Sequence, residues 1–387
     1  MQTKSVIFNT EDFKQLAYTH EPLCLSVYVP AYRAGQEVKE QHAQKILKNI
    51  IKQVRSELLK RELSENDADV YLRPLTTLME DNEFWTDQSD GLAIFITPNS
   101  IKKFKVPIHF APYYYIADHF YLKPLIPMLN NDDIFYILAF NLDEVKLYES
   151  TPYTIAEMDT SDVPQKLEDV VGNETEQRHL QQRTGHDNSG NAIFHGHGGG
   201  KDDKQTEVKQ FLREVDKKIS GLLNGSSYPM ILACDQQHYG IYKDISGYNN
   251  LSKNHIPLNP KEIDPLDLHH EATIYLQEEF GQTKTQKINS FRQYSATDKT
   301  LTEIEDIVPA AVNGQIDTLF IQPGKETFGL FDKENNTIII DREKQTQNAS
   351  LYNLAAVNTV LNNGKVYLLP QDKMPLHKTN ANALLRY

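Results

Sequence analysis

The chain has 387 residues, with 40 Lys and Arg against 53 Asp and Glu and a formal net charge of −13. At roughly 100–200 residues per domain this length predicts several folded units, and the acidic balance excludes a uniformly basic nucleic-acid-binding protein. Because the sequence has no apolar run of about 18 residues and no apolar leader after Met1, we expect a soluble, cytoplasmic protein without a membrane partner.

The first predicted domain covers residues 1–130. Apolar residues recur at helical spacing in its long helix and form continuous runs in its strands. Its aromatic residues could stack on nucleobases, but core packing is favoured because no Lys or Arg is interleaved with them. The predicted elements are a short opening helix, a strand ending near Val29-Pro30, helices over Val38–Leu59 and Tyr71–Met79, the strand Gly91–Thr97 and an aromatic segment over Tyr113–Met128.

The second predicted domain covers residues 131–260 and begins with a hairpin. Two apolar runs are joined by the turn residues Asn141-Leu-Asp143, which is typical of antiparallel strands. A sheet crossed by one long helix is the expected arrangement. Its predicted strands are Ile134–Phe140, Glu144–Tyr148, Thr154–Met158, Met230–Cys234 and Tyr239–Tyr242.

The long helix of this domain is predicted from Thr206 onward. Apolar residues recur there at steps of three and four, with basic residues mostly between them, so one face packs and the other faces water. Asp202 or Asp203 is a candidate N-cap, and Asn224-Gly225 is a typical helix end. The helix therefore forms a rigid support for the segment that precedes it.

That preceding segment, between Leu180 and Lys201, contains six glycines and three histidines but few apolar residues. Structureless connections longer than about 12–15 residues are usually binding or active-site elements or linkers. Glycines also allow a backbone to approach a partner closely. The segment predicts a projecting loop whose candidate contact residues are His195, His197, Gly198, Gly199, Gly200 and Lys201.

Spacing excludes two kinds of chemistry for this loop. A phosphate-binding P-loop needs a glycine where His195 stands and a hydroxyl residue where Asp202 stands. A lipase-type oxyanion loop needs a Gly-x-Ser-x-Gly elbow, which the chain lacks. Metal binding by His195, His197 and a nearby acid stays open, since imidazole and carboxylate suit several divalent ions. So does a plain linker without a role.

The third predicted domain covers residues 261–387, where helices and strands alternate as in a small α/β layer fold. His269-His270-Glu271 is not followed by a His-Glu-x-x-His pattern, so it predicts a surface helix and no metal site. The two cysteines, Cys24 and Cys234, lie in strand-like runs and are expected to be buried thiols. The predicted elements are helices over His269–Phe280, Leu301–Asn313 and Leu351–Leu361 and strands over Asp317–Ile321, Thr337–Asp341 and Lys365–Leu369.

This order of elements resembles the archaeal and eukaryotic class I release factor and Pelota superfamily, and more narrowly the bacterial archaeo-eukaryotic release factor-like proteins. The resemblance is strongest over Ile134–Val171 and His195–Ile219 and extends more loosely over Glu303–Leu369. It implies a three-domain α/β architecture in which each domain is a mixed sheet with packed helices.

In that family the matching loop carries Gly-Gly-Gln and enters the ribosomal peptidyl-transferase centre, where the glutamine helps water attack peptidyl-tRNA. Gly199 and Gly200 match the two glycines, whereas Lys201 stands at the glutamine position. A long ammonium cannot replace a small neutral amide in placing water, but it can bind RNA phosphate as a point charge. No Asn-Ile-Lys-Ser motif is present, so stop-codon decoding is not carried over.

The resemblance thus implies a cytoplasmic translation factor that occupies the ribosomal A site as a tRNA mimic, in rescue, release or hibernation. Its partners would be the ribosome, through ribosomal RNA and peptidyl-tRNA, and a translational GTPase, with no DNA and no cofactor. Whether it hydrolyses peptidyl-tRNA is left open by Lys201. A metal-dependent hydrolase or nuclease that uses the histidines of the loop, and a non-catalytic interaction module, are the alternatives.

Overall fold

The computed structural model describes residues 8–32, 38, 40–86, 88–130, 132–171, 200–277, 280–295, 297–341 and 348–387. Contacts divide the chain into two compact units, one of Met1–Asn131 with Gln282–Tyr387 and one of Asp132–Gly281. Both units combine sheets with helices, which confirms the predicted α/β class. The division into three domains at residues 130 and 260 is a statement about separate folding, and it stays a prediction.

The first part of the first unit is an antiparallel sheet covered on one face by two helices. The four strands β1 (His20–Pro30), β2 (Gly91–Thr97), β3 (Ser100–Val106) and β4 (Tyr113–His119) pair in the order β3-β2-β1-β4. Leu47 and Val54 of the long helix are fully buried in one cluster with Leu25 and Val27 of β1. The helices are α1 (Thr10–Ala17), α2 (His42–Lys60), α3 (Glu65–Glu80) and α4 (Asn82–Thr86).

The second unit is a five-stranded mixed sheet between helices. The strands β5 (Phe135–Phe140), β6 (Val145–Thr151), β7 (Thr154–Glu157), β8 (Met230–Cys234) and β9 (Leu251–Pro257) pair in the order β7-β6-β5-β8-β9. The strands β5 and β6 form the predicted antiparallel hairpin, whereas β5–β8 and β8–β9 are parallel. The helices are α5 (Gly200–Leu222), α6 (Gln236–Ile245) and α7 (Pro265–Tyr275).

Both faces of this sheet are buried because side chains alternate along β5. Tyr136, Leu138 and Phe140 pack in one cluster with α5 and α6. Phe135 and Ile137 pack on the other face in a cluster with α7. The helix predicted near His269 therefore completes the core of the second unit, although its sequence lies beyond the predicted boundary at residue 260.

The last part of the chain completes the first unit with three helices and seven strands among the described residues. The strands form two small sheets, in the orders β10-β16-β11-β15 and β13-β12-β14. The elements in chain order are α8 (Gln282–Tyr294), β10 (Thr300–Leu301), α9 (Ile304–Val312), β11 (Ile316–Ile321), β12 (Phe328–Asp332), β13 (Thr337–Asp341), β14 (Ala349–Ser350), α10 (Leu351–Leu361), β15 (Lys365–Leu368) and β16 (Ala381–Leu385).

One predicted strand is wrong, since Tyr239–Tyr242 lies inside the helix α6. Asp235 caps this helix, and its carboxylate accepts hydrogen bonds of 2.9 Å from the backbone N–H groups of Gln237 and His238. The two tyrosines stand three residues apart, which places both on the packed helical face, where they are buried. A strand of four residues had too few positions to separate the two patterns.

Candidate functional site

The described residues fix where the predicted contact loop joins the second unit. His195, His197, Gly198 and Gly199 lie outside the described residues. Residues 200 and 201 are the first two of the 23-residue helix α5, and their side chains also lie outside the described part of the chain. The helix begins six residues earlier than predicted, so the two matched glycines stand directly at a helix N-terminus.

A continuous apolar stripe holds α5 on the sheet. Phe211, Leu212, Val215 and Ile219 recur at helical steps and are fully buried against residues of β5, β6 and β8. Burying one large apolar side chain contributes about 1.5–3 kcal/mol, so this stripe fixes the helix firmly. Gly225, with a φ of +83°, follows the helix in the left-handed conformation that its position after Asn224 predicts.

A buried carboxylate also holds this helix, and the sequence analysis did not single it out. The side chain of Asp216 accepts 2.8 Å hydrogen bonds from the Ser246 hydroxyl and from the Gly247 backbone N–H, just after α6. The residue is only 7% exposed. Burial, and then the neighbouring Asp216 carboxylate, raise the pKa of Tyr242 well above its ordinary value. Asp216 is thus a positioning group between α5 and α6.

The sequence held one signal for this role. Asp216 follows Leu212 by four residues and therefore lies on the apolar stripe of the helix, where an acid needs hydrogen-bond donors. The charge balance counted it as an ordinary surface acid. Its burial leaves the water-facing side of α5 more basic than that count predicts.

The exposed face of α5 carries a row of cations. Lys209, Arg213 and Lys217 are exposed and recur at four-residue steps, which places them about 6 Å apart along one side of the helix. Glu214 is half-buried and lies 3.8 Å from the ammonium of Lys217. Lys204 and Lys218 are exposed as well. We call Lys209, Arg213 and Lys217 the basic row.

The described residues offer no metal centre. Among them, no group of three or more His, Cys, Asp and Glu side chains is placed to hold an ion. His269, which the sequence analysis assigned to a surface helix, is in fact buried. Its Nε2 lies 2.7 Å from the carbonyl oxygen of Thr151, and its ring stacks on Phe135. Likewise, no helix in the described ranges is long and apolar enough to cross a bilayer.

Both cysteines are buried free thiols, one in each unit. Burial raises the pKa of Cys24 to about 11 and raises that of Cys234 further. Both thiols are therefore protonated at neutral pH, and the expectation of buried thiols is confirmed.

Residues 135–278 match the family model "Bacterial archaeo-eukaryotic release factor family 7". The matched range begins in β5 and ends after α7, so it includes the hairpin, the loop segment, α5 and the basic row. The release-factor-like family predicted from the sequence is thereby confirmed for this part of the chain. No curated protein matches the chain.

Solved structures with the same broad organisation include three translation factors. An archaeal translation termination factor, aRF1, is 15% identical, with 100% of each chain covered and a TM-score of 0.24. Archaeoglobus fulgidus Pelota is 11% identical, with 76% of this chain and 79% of that chain covered and a TM-score of 0.33. Dom34 of S. cerevisiae is 13% identical, with 74% and 72% covered and a TM-score of 0.31. At these scores the argument about function depends on the family match.

Proposed function

We propose, from the match of residues 135–278 to a bacterial archaeo-eukaryotic release factor family, that this protein is a cytoplasmic, translation-associated factor that binds the ribosome. It occupies the A site as a tRNA mimic, with loop 195–201 directed towards the peptidyl-transferase centre. The observation that carries this proposal is the family match, which includes both the loop segment and the helix that follows it. A translational GTPase is the partner class expected to deliver such a factor.

The basic row supplies the electrostatic part of this proposal. Exposed Lys and Arg side chains attract the phosphates of RNA and release counterions, so binding of this kind weakens with salt. The rest of the chain is acidic, with a net charge of −13. Attraction to RNA is therefore restricted to a small surface, and a transient ribosome-binding factor is favoured over a tight RNA-binding protein.

The chemistry of the loop favours occupancy over hydrolysis. Lys201 stands where the family has the glutamine that places water, and an ammonium differs from an amide in charge, length and hydrogen-bonding groups. Asp202 and Asp203 follow it and would set negative charge beside any developing oxyanion. The protein therefore blocks the centre without releasing the peptide, as a hibernation or rescue factor does before a second factor acts.

Ribosome binding is tested by co-sedimentation of the full chain with bacterial ribosomes at low and at physiological salt. The triple variant Lys209→Glu, Arg213→Glu, Lys217→Glu is expected to lose at least tenfold in bound fraction. The control triple variant Lys14→Glu, Lys333→Glu, Lys373→Glu changes the net charge equally at exposed residues of the other unit. Absence of binding at low salt contradicts the proposal, and equal losses in both variants contradict the role of the basic row.

The tip is tested on stalled ribosomes that carry peptidyl-tRNA. We expect the wild-type protein to block the puromycin reaction and to release no peptide, and deletion of residues 195–200 to abolish the block. Lys201→Gln, which restores the family's residue type, is expected to give at most weak release. Robust release by the wild type that is lost in Lys201→Ala would show that the protein is a hydrolase.

A further inference from the structure

A groove in the first unit lies outside the range matched to the release-factor family. It has a volume of about 600 Å³ and runs between helix α2 and strand β4. Ile46 and Ile50 of the helix and the rings of Tyr113, Tyr114 and Phe328 form its apolar walls. Its size is in the range of known ligand sites, and none of the chemistry proposed above uses it.

The strand at this groove has an open edge. In the order β3-β2-β1-β4, β4 pairs with β1 alone among the described strands. The carbonyl oxygen of Ile116 accepts a 3.2 Å hydrogen bond from the Arg61 guanidinium, so this carbonyl points away from β1. Because main-chain groups alternate in direction along an antiparallel strand, the N–H and C=O of Tyr114 also point to the open edge.

The helix side of the groove offers unused polar groups. Asn49 and Gln53 stand one turn apart on α2, line the groove and are exposed, and their amides form no hydrogen bond with the described residues. Glu57, at the end of the same row, is already paired at 2.9 Å with Arg61. Side-chain amides can donate to and accept from a peptide main chain, so the two walls of the groove complement one another.

The rim of the groove is basic. Lys45 precedes Asn49 by four residues and Lys52 follows it by three, so both stand on the solvent side of the amide row. Both lysines are exposed, and neither has an ion-pair partner within the described ranges. The only charged side chain that lines the groove itself is the paired Glu57. A ligand should therefore carry its negative charge along the rim and an uncharged, apolar part inside.

We propose that this groove binds an extended, acidic peptide segment of a partner protein by addition of a strand to β4. The peptide main chain bonds to Tyr114, alternate side chains enter between Ile50 and the aromatic wall, and carboxylates meet Lys45 and Lys52. Strand addition combines main-chain hydrogen bonds for affinity with side-chain pockets for specificity. Single-stranded RNA is less favoured because no cation lines the groove where a phosphate chain would run.

The experiment selects phage-displayed random 12-residue peptides on the full chain. Counter-selection uses the double variant Asn49→Trp, Gln53→Trp, which fills the groove from two exposed positions without altering buried residues. We expect enriched peptides that alternate apolar and other residues and have a net negative charge. The proposal is overturned if no peptide is enriched over the counter-selection, or if the enriched peptides also bind the filled variant.

A synthetic copy of the strongest peptide then tests charge and backbone pairing. Lys45→Glu, Lys52→Glu is expected to weaken its binding more than tenfold, whereas Lys373→Glu, Lys378→Glu, a matched exposed pair, should change it less than twofold. N-methylation of alternate peptide nitrogens should abolish binding in one register and spare it in the other. Equal tolerance of both registers, or groove-dependent binding of a 12-nucleotide uridine RNA without any peptide binding, would contradict the proposal.

Discussion

The two units of this protein bury charged side chains in different ways. In the second unit a single acid, Asp216, is held by donors 30 and 31 residues away. In the first unit Lys123 is 2% exposed and is paired with Glu326, a residue 203 positions later. One charge fixes a helix locally, whereas the other pair joins the two ends of the chain.

The cluster around Glu326 shows what such a pair requires. Its carboxylate accepts hydrogen bonds from the hydroxyls of Tyr121 and Ser350 in addition to the Lys123 ammonium. The ammonium also donates a 3.0 Å hydrogen bond to the carbonyl oxygen of Lys325. Burial lowers the pKa of Lys123, and Glu326 opposes that shift. We call these residues the ionic cluster.

The comparison teaches that the two predicted outer domains share one buried ionic cluster. Buried ion pairs add little net stability over an apolar substitute, because desolvation offsets their attraction. Breaking one partner is costly, since it leaves an uncompensated charge in the interior. The first unit is therefore expected to be more sensitive than the second to the loss of a single charged group.

The largest effect is expected for Glu326→Ala. We expect it to lower the free energy of unfolding of the first unit by about 3–5 kcal/mol, because Lys123 is left buried without its carboxylate. The chain's single tryptophan, Trp85, is buried in this unit and donates a 2.8 Å hydrogen bond to the carbonyl oxygen of Leu78. Its fluorescence during denaturant unfolding is the measurement.

The control for this prediction removes both charges. Lys123→Met with Glu326→Leu is expected to lose much less stability than Glu326→Ala, since no unpaired charge remains. Trp85 and Glu326 lie in different predicted domains. A transition at Trp85 that ignores Glu326→Ala would show that residues 1–130 fold separately, as the three-domain division states.

The next largest effect is expected for Leu212→Ala in the apolar stripe of α5. Truncating a fully buried leucine leaves a cavity and costs about 2–5 kcal/mol. One buried thiol in each unit reports where that loss occurs, Cys234 in β8 and Cys24 in β1. Modification by a disulfide reagent should accelerate at Cys234 and not at Cys24. Equal acceleration at both thiols would contradict separate unfolding of the two units.

Periodic apolar patterns made most of the second unit predictable from sequence. The hairpin, the strand Met230–Cys234 and the packed face of α5 each depend on residues close together in the chain, so their spacing specifies them. The strand β9 was missed because Leu251–Pro257 contains only three apolar residues, of which Ile256 alone is buried among its apolar positions. Its burial depends on the neighbouring strand β8, which spacing does not encode.

The ionic cluster and the peptide groove could not be predicted in that way. Lys123 and Glu326 are ordinary charges in sequence, and only the fold brings them together. The groove similarly combines an open strand edge, a helix row and Phe328 from the far end of the chain. For the loop at 195–199 the situation is reversed, because its chemistry was inferred from sequence and its residues lie outside the described ones.

The smallest effect is expected for Asp216→Asn, which tests how locally the second unit holds its buried acid. The amide keeps the size of the side chain but replaces one acceptor oxygen by a donor, so one of the two bonds from Ser246 and Gly247 is lost. We expect a loss of about 1–3 kcal/mol, measured by denaturant unfolding followed through far-ultraviolet circular dichroism and Cys234 reactivity. Glu214→Gln on the same helix is the control, because its carboxylate is half-exposed and makes only a 3.8 Å contact with an exposed lysine. The ribosome-bound fraction should fall in Asp216→Asn only to the extent that α5 loosens, so a stabilising osmolyte should restore it. A loss greater than that of Glu326→Ala would reverse the comparison and make Asp216 the more important buried charge.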